Sequence, residues 1–282
     1  MENIFIGMAG WSYPPWRGNF YPKGTKVKDE LIYASQQVNS IEINGTFYRM
    51  QKPETFQKWH DSVPDDFVFS VKSSQFITHK LRLKNAEKAL CNFLASGLLC
   101  LKAKLGPILW QFPPFVMLKD SRFEEFFQLL PKTSKEAQKL AKNHDHFVAG
   151  RTWTQVTEDF PIYHACEFRH PSFKANDFCE LMQKNKIAYV FADSGKHSLD
   201  IEYETAEFVY LRLHGEGKDY KQGYSDKHLK KLATKIVSWH NKNLKVFAYF
   251  DNAAKDYAPQ NATKLTTLVE EELKKQNIQE AS

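Results

Sequence analysis

Eight short apolar runs recur along the chain: Ile4 to Ala9, Ser40 to Thr46, Phe67 to Lys72, Pro107 to Phe112, Tyr163 to Phe168, Ile187 to Asp193, Phe208 to His214 and Lys245 to Phe250. They are rich in Val, Ile, Phe and Tyr, the side chains that suit a pleated, buried surface. Between them lie stretches of helical period, among them Glu54 to Asp61, Asn85 to Lys102, Ser121 to Leu130, Asn176 to Lys184, Asp226 to Asn241 and Ala262 to Lys275. Such alternation predicts parallel strands joined by right-handed helical crossovers. Eight units favour closure into an α/β, TIM-barrel-like (β/α)8 closed parallel barrel. No Gly-rich phosphate fingerprint follows the first run, which argues against a dinucleotide fold, so no nucleotide cofactor is expected.

The length of 282 residues suits one such domain over residues 1–282, with a long irregular loop at about 143–162 before the fifth strand. That loop holds His144, His146, Arg151 and Trp153, and it reads either as a lid or as a surface excursion. A composition of 42% hydrophobic and 26% charged residues is that of an ordinary soluble protein. No run approaches the roughly 18 apolar residues of a membrane span. The opening residues lack a basic leader, so they read as a first strand and the expected location is cytoplasmic. Cys91, Cys100, Cys166 and Cys179 form no CxxC pair and sit in apolar stretches, as core side chains do. The net charge of +6 comes with lysines at helical period, as in Lys132 to Lys142 and Lys227 to Lys235, the pattern of solvated helix faces. It permits an anionic partner but brings no nucleic-acid reader motif.

The chemistry lies at the strand ends. Side chains alternate along a strand, so Glu42, Asn44 and Thr46 share one face, as do Tyr210, Arg212 and His214. By the same parity Ser70 goes with Lys72, Leu109 with Gln111 and Glu167 with Arg169. These inward faces meet at the C-terminal mouth, where barrel enzymes build their sites. Buried ions of both signs must pair with one another or with a ligand. One reading makes Lys72, Arg169 and Arg212 a clamp for phosphate or carboxylate, with Glu42, Glu167 and His214 transferring protons. The other is an internal salt-bridge network without a substrate. Two carboxylates would also suit glycoside hydrolysis if their gap were roughly 5 to 9.5 Å. A divalent metal has ligands to draw on in His79, His170, His214, Asp193 and Asp251, but no compact motif favours one. Trp11 and Tyr13 are placed to line a ligand, whereas Trp16 and Phe47 read as rim packing.

Several stretches together resemble the YecE-like proteins, the domain of unknown function 72 family: GWSYPPWRGNFYP, SIEINGTFYRM, FVFSVKSSQFITH, LGPILWQFPP, CEFRHPSF, YLRLHG, and YFDN followed by Ala258 and Asn261. The resemblance implies a TIM-barrel-like fold and no settled activity. It points to Trp11, Tyr13, Glu42, Asn44, Thr46, Tyr48, Lys72, His79, Gln111, Glu167, Arg169, His170, Arg212, His214 and Asn252 as motif positions. Phe173 stands where a tryptophan is usual, and Asp251 where an asparagine is common, which adds an acid. The expectation is an enzyme, a hydrolase or isomerase with carboxylate acid/base chemistry, acting on an anionic or polyhydroxylated small molecule. Alternatives are a nucleic-acid-binding or metal-dependent endonuclease-like barrel, by analogy of fold alone, and a non-catalytic ligand-binding protein.

Overall fold

The computed structural model describes residues 1–193, 199, 203–216, 222–252 and 256–280, with side chains through 276. Its strands are β1 (Ile4–Ala9), β2 (Ser40–Ile43), β3 (Val68–Lys72), β4 (Leu105–Gln111), β5 (His164–Glu167), β6 (Ile187–Asp193), β7 (Phe208–Leu213) and β8 (Lys245–Phe250). They pair in chain order, and β8 closes on β1, giving a closed barrel of parallel strands. Around it lie α1 (Glu30–Ala34), α2 (Gly45–Tyr48), α3 (Pro53–Asp61), α4 (Glu87–Ala95), α5 (Arg122–Leu129), α6 (Ser134–Ala141), α7 (Asn176–Lys184), α8 (Asp226–Asn241) and α9 (Tyr257–Glu280). No described helix is long and apolar enough to cross a membrane.

Strand alternation divides the core in two. Ile4, Ile6, Met8, Ile41, Ile43, Phe69, Ile108 and Trp110 belong to the layer packed under the helices. Leu109, Ala165, Val190, Tyr210, Phe247 and Tyr249 fill the barrel itself. Tyr249 is large, and the residues it meets are small: its hydroxyl lies 2.6 Å from Ser40 Oγ and 2.7 Å from Ser70 Oγ. Ser40 spends its hydrogen on Val68 O at 2.7 Å. Tyr249 must therefore donate to Ser40, and Ser70 to Tyr249, which orients the chain of hydroxyls across the interior.

One expectation changes, and one open reading is narrowed. The helix expected over Asn85 to Lys102 is broken: α4 stops at Ala95, and a 3-10 segment, Leu98–Lys104, follows Gly97. Gly97 has φ of 113°, and a Cβ there would lie 2.5 Å from Pro53 Cα, so the break lets α3 pack closely. The loop at 143–162 lies along the outer flank. Asp145 and Asn92 exchange hydrogen bonds of 2.9 and 3.0 Å, Lys88 Nζ donates to Asn143 O, and Trp153 N donates to Ala95 O. Trp153 also lines an outer cleft of about 490 Å³ with Pro53, Gln57 and Cys100. These partners belong to α3, α4 and the segment after it, so the loop is a surface excursion rather than a lid.

His164 is locked neutral in the outer layer. Trp110 Nε1 donates to its Nδ1 at 3.1 Å, which leaves Nε2 to donate to Pro131 O at 2.8 Å. Burial brings its pKa down to about 4, against the pull of the Pro131 carbonyl. The unfolded chain, with a histidine near 6.5, then binds one more proton than the fold between about pH 6.5 and 4. Stability should fall with decreasing pH across that window by up to about 1.4 kcal/mol per pH unit from this residue. Urea unfolding at half-unit steps measures it, and a flat profile would contradict the assignment. Tyr249→Phe should cost about 1–3 kcal/mol in the same assay at pH 8, because it strands a buried serine hydroxyl.

Candidate functional site

The mouth is organised by one guanidinium. Arg212, from β7, is buried, and so are Glu42 of β2 and Glu167 of β5. Its Nε and Nη2 meet Glu42 Oε2 and Oε1 at 3.0 and 2.9 Å. Its Nη1 meets Glu167 Oε2 at 2.7 Å, and Nη2 also reaches Asp251 Oδ2, directly after β8, at 2.5 Å. Four of its five N–H groups are thereby used, on carboxylates from three sides of the barrel. Tyr210, two residues earlier on the same face, donates to Glu42 Oε2 at 2.7 Å. Arg169 takes the remaining oxygen of Glu167 through Nε at 2.9 Å and Nη2 at 2.8 Å.

These contacts set the charge states. Burial opposes the charge on Glu167, but Arg212 and Arg169 more than offset it and hold the carboxyl well below the usual range. At Asp251 burial likewise opposes the charge, and Arg212, His214 and Lys72 prevail, so its pKa is also lowered. His214 follows β7 with Nδ1 3.6 Å from Asp251 Oδ2. Burial, and next Arg212, lower its pKa, so the ring is neutral at pH 7.

Lys72 ends β3 and is 9% exposed. Its Nζ stands 4.3 Å from the centre of the Phe47 ring, and among the described residues no carboxylate oxygen lies within 4.0 Å of it. Burial and the charge of Arg212 lower its pKa to about 8, against the pull of Glu42 and Glu167. His79, on the single π-helical turn Phe76–Leu81, packs edge-on against the same ring at 5.0 Å. Burial, then Lys72 and Arg169, bring its pKa to about 4, so it too is neutral.

The remaining predicted positions divide into wall and scaffold. Tyr13 donates to Ala9 O at 2.7 Å and stands over Gly10, where φ is 84° and a Cβ would lie 2.6 Å from the hydroxyl. Burial, Asp251 and Glu42 push its pKa up to about 12, and Asn44 sits directly before the α2 turn. Trp11 is half-buried, edge-on to Trp59 at 5.3 Å. Gln111 pairs in register with Glu167 and is nearly buried. Asn252 donates to Gln222 O at 3.0 Å. The second strand ends at Ile43 rather than Thr46, and a helical turn follows. Thr46 consequently donates to Ile43 O and Lys72 O, a scaffold role, and Tyr48 points outward at 74% exposure.

Two expectations are therefore revised. The three-cation clamp is not free as a unit: Arg212 is spent on carboxylates and Arg169 gives Nε and Nη2 to Glu167, which leaves Lys72 and the outer edge of Arg169, whose side chain is 21% exposed, for an incoming anion. Glu42 and Glu167 are fully buried with their oxygens occupied, so the carboxylate that reaches the opening is Asp251, whose side chain is 25% exposed. Parity in β8 would have found it, since Phe247, Tyr249 and Asp251 follow one another at every second position. Among the described residues no three His, Cys, Asp or Glu side chains form a metal-holding group. The Arg212 guanidinium occupies the point on which the carboxylates converge. A separate ionisable cluster lies between β6, β7 and α8. There His228 Nδ1 is 2.8 Å from Glu216 Oε1, and Tyr224 donates to Asp193, beside a cleft of about 510 Å³.

Residues 5–282 match the model of the family described as Protein of unknown function DUF72. Among curated proteins, the chain is 31% identical over 91 residues to UPF0759 protein YecE of Escherichia coli (strain K12), covering 32% of this chain and 31% of that one. It is 30% identical over 117 residues to UPF0759 protein YunF of Bacillus subtilis (strain 168), 40% of each. These matches thus span about a third of YecE and two fifths of YunF. Among solved structures, a DUF72 family protein of Thermotoga maritima MSB8 superposes with a TM-score of 0.70 at 22% identity, covering 95% of this chain and 99% of that one. One from Enterococcus faecalis V583 gives 0.66 at 17% identity, covering 95% and 97%. At these identities the likeness shows a shared fold.

Arg212→Met should leave three carboxylates facing one another without their common cation. The expected loss at pH 8 is about 3–5 kcal/mol, since a buried pair is broken from one side. Part of it should return at pH 5, where protonation relieves the repulsion. Chemical denaturation at both pH values tests this, and an equal loss at both would contradict the charge argument.

Proposed function

The chain belongs to the DUF72 family of proteins of unknown function, and from that premise we propose that it is an enzyme that moves protons on an anionic or polyhydroxylated small molecule at the barrel mouth. The carrying observation is the gradation of exposure around Arg212: Glu42 and Glu167 are sealed beneath it, whereas the side chains of Asp251 and His214 are 25% and 14% exposed. A network serving stability alone gains little from such groups, because apolar side chains of similar volume are often at least as stabilising.

The roles follow from position. Arg212 keeps Asp251 ionised, and Glu42 with Tyr210 keeps Arg212 in place. Asp251 lies beside the neutral His214, 3.6 Å from its Nδ1, and in the proposed reaction this pair takes a proton from the substrate and returns it, with Asp251 the more exposed of the two. Lys72 faces the substrate oxygen, while Trp11 and Tyr13 form the apolar wall. Glu42 and Glu167 do not present the free pair that glycoside hydrolysis needs, since arginine nitrogens hold both. Proton abstraction beside a carbonyl, an isomerase-type reaction, fits the geometry better.

Such an enzyme exchanges substrate protons with solvent. Sugar phosphates and hydroxy- or keto-acids incubated with the protein in deuterium oxide should include one that gains deuterium by NMR. Asp251→Asn and His214→Gln should each slow that exchange by about 10²–10⁴-fold while remaining folded at the assay temperature. Exchange at the wild-type rate in both variants, or no exchange with any compound that binds, would remove the proposal.

A further inference from the structure

We propose that Lys72 acts as a nucleophile, its Nζ condensing with the carbonyl carbon of a small aldehyde or ketone to form an imine. This rests on the mouth being a catalytic site, as argued above, and names the chemical class of its substrate.

The case begins with a contrast inside the molecule. Lys104 is also buried, and its ammonium is fully provided for: Nζ donates to His60 O and Val63 O, each at 2.9 Å, and lies 3.6 Å from Asp65. Among the described residues Lys72 has no such hydrogen bonds. Three carboxylates stand in its surroundings, yet each is bound to an arginine, and the amine is left over the Phe47 ring with Arg212 as its strongest charged neighbour. The charged groups that act on it are Arg212, Glu42, Glu167 and Asp251, with the Phe47 ring beneath it and His79 beside that ring. An ammonium built to hold an anion gains from keeping its full charge. Desolvation beside a second cation does the opposite and is a recognised way of preparing a lysine to attack a carbonyl.

The step balances without an oxidant or reductant. The neutral amine adds to the carbonyl carbon, forming the C–N bond, and the C=O π pair passes to oxygen, which takes up a proton as the new ammonium nitrogen gives one up, leaving a neutral carbinolamine. The resulting carbinolamine loses its hydroxyl, with a second proton, as water, and the nitrogen lone pair forms the C=N bond. The protonated imine then draws electrons from the adjacent carbon, which is the carbon whose proton His214 and Asp251 are placed to remove. Hydrolysis returns the free amine.

The test is reductive trapping on the full chain. The protein is incubated with pyruvate, dihydroxyacetone or glyceraldehyde 3-phosphate, reduced with sodium cyanoborohydride, and mapped by peptide mass spectrometry. With a pKa of about 8, Lys72 should be labelled at least about tenfold faster than surface lysines at pH 8. Its labelling should rise through about pH 8, not above pH 10. Lys72→Arg should abolish the mapped adduct, and the wild-type peptide map decides the matter even if that variant folds poorly. Adducts spread over surface lysines with none at Lys72 would overturn the proposal. Deuterium exchange without trapping would leave the proton-transfer reading standing and make Lys72 an anion anchor. Trapping at Lys72 without exchange would uphold the nucleophile and remove the proton-transfer pair.

Discussion

The whole upper half of the barrel depends on a single guanidinium shared by three carboxylates. Arg212 reaches Glu42 across two intervening strands, Glu167 across one, and Asp251 at the end of its neighbour. A planar donor fork fits this task where an ammonium would not, since it offers separate N–H directions to each acid. The arrangement also fixes what is left over. With Arg212 consumed by the acids and Arg169 turned onto Glu167, Lys72 has no counterion at bonding distance among the described residues, and Asp251 is the most exposed of the three acids. The chemistry proposed for the mouth follows from that apportioning, more than from the mere presence of charged groups.

Much of this was legible in the sequence, for a definite reason. Period-two alternation is a local property, so Glu42, Tyr210 and Arg212 could be placed inside the barrel from their own strands, and they are there. Alternation fails where a strand stops. At Ile43 the chain turns into a helix, and Thr46 becomes a backbone prop instead of a mouth residue. Which ion takes which partner was not legible either. Arg212 and Glu42 are 170 positions apart, and no local pattern says that the arginines would be exhausted before the lysine. The broken helix at Gly97 was missed on similar grounds, because the reason for the break is the approach of Pro53 from another element.

The interior below the mouth explains why the charged layer sits so high. Tyr249, Tyr210, Phe247 and Leu109 fill the barrel, and two serines make room for the largest of them. Packed barrels of this type leave no lower space for a ligand. Polar side chains on the inward faces can reach water only at the top, and their desolvation lessens with height, from the sealed Glu42 and Glu167 to the partly open Asp251, Arg169 and His214. That gradient offers a substrate polar groups held rigidly from beneath.

The pairing of β8 with β1 has a further bearing, on how the chain is made. β1 ends at Ala9 and its partner begins at Lys245, and α9, which packs on both through side chains such as Ala262 and Leu265, comes later still. At ribosomal speeds, one edge of β1 waits on the order of 10 to 50 s for its neighbour to emerge. An unsealed apolar strand is an invitation to aggregate, so closure of the β1 and β8 seam is the late and exposed step in making this fold.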